Sequence, residues 1–268
     1  MKQKLQSIYK LAYEYLLDML PDELTEKDLQ KYFIGDRRDF NSLQDVFEQL
    51  ICSAHNTQGM PNSIKYDKRR NKIKEILKDF DICEISKMDI YELYYTFRDT
   101  FNVTSKDSKR NYWYKWSNSI IDSAKFLSKF KDLDDFKSFI AQFEYSAYTR
   151  EALPLLISTK IKGIGFALAC DALKELGYLD YPKPDTHIID VFYQLGLSDN
   201  EEQTAAFEAV VYMSDVCKEI DKSATPYKID KIIWLICSGD FYLDDCSVKP
   251  RKKQFIEYIK SVIELSIY

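Results

Sequence analysis

The chain has 268 residues, with 43 acidic against 38 basic side chains and only 7 glycines and 7 prolines. Glycine this far below the ~7% of average usage argues against folds that spend many glycines on turns, such as sandwiches, barrels and propellers, and favours long helices with short connections. The net charge of −5 excludes a uniformly basic coat for nonspecific nucleic-acid binding, but leaves a local basic face open.

The length fits one domain or two closely packed lobes. No apolar run reaches the roughly 18 residues of a membrane span, and Met1-Lys2-Gln3-Lys4 leads into an amphipathic stretch rather than an apolar signal core. No membrane partner is therefore expected, and the location is read as cytoplasmic, or nucleoid-associated if the source is bacterial. Cys52, Cys83, Cys170, Cys217, Cys237 and Cys246 are scattered without a CxxC pair, so the thiols are read as reduced and neither a metal site nor an iron–sulfur cluster is expected.

Taken in chain order, Leu5, Ile8, Tyr9, Leu11, Ala12, Leu16 and Met19 follow helical spacing and predict a first helix ending near Pro21. Thr25 with Asp28 caps a second short helix, closed by the turn Ile34-Gly35-Asp36. Ser42 with Asp45 opens a third, whose inward positions are Leu43, Val46, Phe47, Leu50, Ile51 and Ala54, and which runs out in a polar loop from His55 to Asn62. A basic helix spans Lys65 to Lys78, and further helices are predicted at about 88–100, 111–129 and 133–144. Two more, at about 147–157 and 166–176, are joined by Ser158 to Gly165; another starts near Asp185, and two or three fill 200–264. No β alternation and no internal repeat stand out, so the fold class is all-α.

Five of the seven glycines lie between positions 163 and 239, and two stand together in Lys160-Ile161-Lys162-Gly163-Ile164-Gly165. A helix, a turn with glycines two apart and a second helix describe a hairpin whose glycines supply positive φ and bare amides. Amides at the start of the second helix, with its dipole behind them, form an anion site able to hold a nucleic-acid phosphate. Standing alone, the same pattern describes a plain helix–helix connection. After the second helix comes Lys183-Pro184-Asp185-Thr186-His187, about twenty residues beyond the glycines.

The hairpin together with this Asp motif resembles the helix-hairpin-helix superfamily of DNA glycosylases, which includes endonuclease III and 8-oxoguanine glycosylase. Leu50-Ile51-Cys52-Ser53-Ala54-His55-Asn56-Thr57 is similar to the loop from which these enzymes push a side chain into the gap left by a flipped base, closest to the 8-oxoguanine branch. Weaker likenesses lie at Tyr112–Trp116 and Trp234–Gly239, so the resemblance spans roughly residues 40–245.

The resemblance implies a two-lobed all-α fold. Its central lobe would cover 41–184, with the helix-hairpin-helix at about 147–177, and its second lobe 1–40 together with 185–268, duplex DNA binding between the lobes. It implies excision of a damaged or mismatched base, an oxidised purine being favoured by the upstream loop. Asp185 would be catalytic, because a carboxylate beside the anomeric carbon stabilises oxocarbenium charge and orients or deprotonates water. On the residues alone, Asp185 also suits a helix cap.

Lys160, Lys162, Gly163, Ile164 and Gly165 would bind the DNA backbone, with a monovalent cation possible at the hairpin, and His55 or Asn56 would fill the vacated stack. His187 is read as structural. Members that also cut the backbone carry a lysine nucleophile four residues after the first hairpin glycine. Here that position is Ala167, which implies a monofunctional glycosylase. The alternative is a catalytically silent DNA-binding module that recognises lesions or branched DNA. A monomer is expected. Basic residues at 65–78, Lys106, Lys109, Arg110, Lys115 and 249–253 are candidate phosphate-facing positions.

Overall fold

The computed structural model describes residues 1–34, 40–57 and 59–265. Among them helix is the dominant structure, and no helix is long and apolar enough to cross a membrane. The turn expected at Gly35-Asp36 lies outside the described residues.

Chain order begins with α1 (Lys2–Asp18), which buries Leu5, Ile8, Tyr9, Ala12 and Leu16 on one stripe, and α2 (Glu26–Ile34), opened where the Thr25 amide and hydroxyl both donate to Asp28. Helix α3 (Leu43–His55) starts at Ser42, whose hydroxyl accepts from the Asp45 amide at 3.2 Å. The expected polar loop after it contains a short helix, α4 (Met60–Ile64), because Met60 and Ile64 are both buried. The basic helix is α5 (Tyr66–Ile76), whose only buried residues are Tyr66 and Ile73. It is followed by the short α6 (Ile82–Ser86), which the sequence pattern did not single out, and by α7 (Ile90–Thr100), capped by Asp89.

Next come α8 (Tyr112–Leu127), α9 (Leu133–Ala141), α10 (Ala147–Lys160) and α11 (Phe166–Glu175). The chain continues through α12 (Thr186–Gln194), α13 (Gln203–Cys217), α14 (Pro226–Ser238) and α15 (Lys252–Leu265). Between the last two helices a two-residue antiparallel ladder pairs β1 (Asp240–Phe241) with β2 (Cys246–Ser247), where no strand was expected. Gly239 permits it. With φ +67° it ends α14, and a Cβ there would lie 2.2 Å from the Val248 carbonyl oxygen.

The chain divides into two compact units, Arg38–Ala172 and Met1–Arg37 with Leu173–Tyr268. The division falls inside α11, upstream of the boundary expected at 184. The end of α11 belongs with α14: the buried Lys174 ammonium pairs with Asp230 at 3.2 Å, and the Tyr227 amide donates to the Leu179 carbonyl.

In the 38–172 unit, α8 is the axis, packed by α3, α4, α6, α7 and α10. It buries Trp113, Trp116, Ile120, Ile121, Ala124 and Leu127, and the Trp116 indole N–H donates to the Ile51 carbonyl at 2.9 Å. Removing a buried tryptophan of this kind costs about 3–5 kcal/mol. In the other unit α14 holds the equivalent place, packed by α1, α2, α12, α13 and α15. Its buried lysines are paired rather than bare, with the Lys228 ammonium donating to Asp221 at 2.7 Å.

Candidate functional site

The hairpin is built on α8. Helix α10 ends at Lys160, and the turn Ile161–Ile164 is closed by the Ile164 amide donating to the Ile161 carbonyl at 3.2 Å. Gly163 sits third in that turn with φ +85°, a conformation that side chains other than glycine resist. Ile161 and Ile164 are buried, while Lys160, Lys162, Gly163 and Gly165 are exposed. The apolar side chains thus hold the turn from inside and leave its backbone facing out.

Two polar contacts fix its position. The Ser119 hydroxyl donates to the Lys162 carbonyl at 2.7 Å, and the Lys162 amide donates to the Asp122 carboxylate at 3.2 Å. These residues were not foreseen, since nothing in the sequence ties positions 119 and 122 to position 162. A Cβ on Gly163 would lie 2.4 Å from the Ser119 hydroxyl, so shape and φ both demand glycine there.

Gly165 differs. Its φ is outside the left-handed region, and a Cβ added to it would meet nothing within 4 Å. Its carbonyl accepts the first helical bond of α11, from the Ala169 amide at 2.9 Å, so it stands at the N-cap, where Ser, Asp or Asn would cap better. The amides of Gly163, Gly165 and Ala167 donate to no acceptor among the described residues. The Ile164 amide is spent inside the turn, so of the expected DNA-binding set Ile164 contributes neither an open amide nor an exposed side chain. A cation at the turn would share carbonyls that Ile164 and Ser119 already engage.

Asp185 is the N-cap of α12. One carboxylate oxygen accepts from the amides of His187 at 2.8 Å and Ile188 at 3.2 Å. The residue is half-buried, and its own amide donates to the Lys183 carbonyl, so its backbone and one carboxylate oxygen are both fixed. The Lys183 amide is in turn bound by Asp230 at 2.9 Å. His187 is half-buried, with its Nδ1 atom enclosed and its backbone serving the cap.

The upstream loop departs from expectation at one residue. His55 is only 8% exposed, with its ring against Tyr66 and Trp116 at centroid distances of 6.0 and 6.3 Å. Burial holds its imidazole below the ordinary pKa, against the pull of Asp67. The last turn of α3 aims His55 into the α8 side of the core, so His55 is not offered to an orphaned base. Asn56 is exposed, and its amide donates to Asp171 at 3.2 Å. Ala167 is half-buried in the first turn of α11, with no amine at that position. Among the described residues no three His, Cys, Asp or Glu side chains gather as a metal site would.

No protein-family model matches the chain, and no curated protein matches it significantly. Among solved structures, the fold is similar to the crystal structure of Methanocaldococcus jannaschii 8-oxoguanine glycosylase/lyase in complex with 15mer DNA containing 8-oxoguanine. Identity is 18% and the TM-score 0.49, with 84% of this chain and 94% of that one covered. The role of each residue therefore rests on the geometry of this chain.

Proposed function

We propose that the protein is a DNA N-glycosylase that binds duplex DNA and hydrolyses the bond between the sugar and a damaged or mismatched base. An oxidised purine is the favoured target. The observation that carries this reading is Gly165: the fold itself does not require glycine there, and the missing side chain leaves a helix N-terminus bare toward solvent. A backbone phosphate is the group that such a place suits, since it needs close approach, open amides and a positive dipole end. Gly163, Lys160 and Lys162 lie around it, and Asn56 takes the gap-filling role in place of His55.

Asp185 supplies the chemistry. As the base departs, positive charge grows on the sugar, and a rigidly capped carboxylate stabilises it without reorganising. A water adds through its oxygen to C1′, its proton passing toward Asp185. The C1′–N bond breaks, and the departing base takes the electron pair and a proton from solvent, to which Asp185 afterwards returns the one it took. The product is an abasic site. With Ala167 at the usual amine position no imine forms there, which makes the activity monofunctional.

The test is a panel of duplexes carrying 8-oxoguanine, uracil, alkylated purines and mismatches, treated with hot alkali to reveal abasic sites. Cleavage of at least one duplex is expected, without any covalent complex trapped by borohydride. Efficient trapping would mean that a lysine elsewhere acts as nucleophile and would overturn the monofunctional assignment. Ala167 also favours a second reading, the silent lesion-binding module, which predicts binding without cleavage across the panel.

A further inference from the structure

One face of α8 does two things. Ser119 and Asp122 clamp the hairpin, and about one turn earlier Lys115 and Asn118 project from the same side of the helix, as residues three and four apart do. Beside them lies an open groove of about 450 Å³ lined by Thr57, Met60, Lys109, Tyr114, Lys115 and Asn118, and closed at one end by Lys162 and Gly163 of the hairpin itself. Every lining residue belongs to the 38–172 unit, and among the described residues no acidic side chain lines the groove.

The nearby acids are engaged elsewhere. Asp107 accepts the hydroxyls of Tyr94 and Tyr95, and Asp122 accepts the Lys162 amide. Lys109 is delivered by a fixed loop: the Asn111 side chain caps α8 through the Trp113 amide and also ties down Ser105 and Lys106. Lys115 lies 5.8 Å from the Tyr112 ring centroid.

We infer that this groove is a second backbone site, which receives the phosphodiester next to the one held at the hairpin, on the same DNA strand. Lys109 and Lys115 supply the charge, and Asn118, which gives one side-chain N–H to the Tyr114 carbonyl, offers the other, while Met60 and Tyr114 give an apolar floor against which a deoxyribose can lie. The groove opens directly from the bare turn, so a strand anchored at Gly163 and Gly165 continues into it. This inference rests on the DNA-binding reading above and extends it. It also selects, from the many lysines of the sequence, the two that matter most next to the hairpin.

The experiment measures affinity for a duplex containing a stable abasic-site analogue across a range of salt concentrations. Each phosphate contact contributes about one to the slope of log affinity against log salt. The double variant Lys109→Gln/Lys115→Gln is expected to lower the slope by about one, so that over a tenfold drop in salt it gains about tenfold less affinity than wild type. The control Lys125→Gln/Lys129→Gln removes the same charge from exposed positions outside the groove and should leave the slope unchanged. Unchanged melting temperatures check that all variants fold. An unaltered slope in the groove variant, or an equal loss in the control, overturns the second site while leaving the glycosylase reading intact. Wild-type protein that shows no salt-dependent duplex binding overturns both. Slopes that behave as expected with no cleavage in the duplex panel uphold the groove and sink the glycosylase.

Discussion

Two helix N-termini in this protein meet the same physical demand in opposite ways. Each begins with amides that have no partner within the helix and with the positive end of a dipole. At α12 the chain fills that end itself, with Asp185 accepting from His187 and Ile188. At α11 the chain leaves it open, with glycine at the cap and the amides of Gly165 and Ala167 unspent among the described residues. The first end fixes a negative charge in place, and the second is ready to accept one from outside. On the proposed function, the open end would meet a backbone phosphate and the filled end a cationic transition state.

Substitutions that exchange the two designs test the comparison. The largest effect is expected for Asp185→Asn. Asparagine caps nearly as well as aspartate, so stability should hold within about 1 kcal/mol, while excision falls by about 10²–10⁴-fold with duplex affinity retained. Excision at the wild-type rate would reduce Asp185 to a cap.

Gly163→Ala comes next. It forces a side chain to φ +85° and pushes the Ser119 hydroxyl off the Lys162 carbonyl, so denaturant unfolding should show a loss of about 2–3 kcal/mol. Gly165→Ala tells the opposite story two residues on. Stability should change by less than about 0.5 kcal/mol. Affinity for an abasic-analogue duplex should nevertheless fall, because the new methyl stands where the phosphate approaches. Equal destabilisation by both alanines would mean that the turn, not a ligand, requires the second glycine. Ser119→Ala should cost about 1 kcal/mol by removing one hydrogen bond from the clamp.

A last predicted effect lies away from both ends, in the α14 unit, and is read through pH. Asp221 accepts from Tyr9 at 2.5 Å, Ser223 at 2.6 Å and Lys228 at 2.7 Å. Burial pushes its pKa up, but Lys228, Ser223 and Tyr9 outweigh burial and hold the carboxyl well below the usual range. A carboxylate depressed in the folded state stabilises fully above its unfolded pKa of about 4, and that contribution is lost as pH falls toward the folded value. The urea midpoint should therefore fall between about pH 4 and pH 2. The fall should be shallower in Asp221→Asn, and identical profiles would remove Asp221 from the acid response.

Much of this was legible in the chain. Scarce glycine and apolar residues at helical spacing set the all-helical class, because both act through local backbone preference. Ser42 with Asp45 was readable as a cap, and so was Asp185 at the head of its helix, since capping is decided within a few residues. The pair Gly163 and Gly165 was readable as a turn, but their difference was not. Only the packing of α8 shows that one glycine is demanded by Ser119, whereas a Cβ on the other would meet nothing within 4 Å among the described residues. His55 was misplaced for a related reason: its exposure is set by Tyr66, just beyond the loop, and by Trp116, which is far from it in sequence.

Local rules, then, chose the longer helices, several of their caps and the position of the candidate catalytic carboxylate. Tertiary packing decided which amides stay open, which histidine is buried and which lysines share a groove with the hairpin. Contacts between residues distant in the chain carry no periodic or local signature, and they are made only when α8 brings its neighbours together.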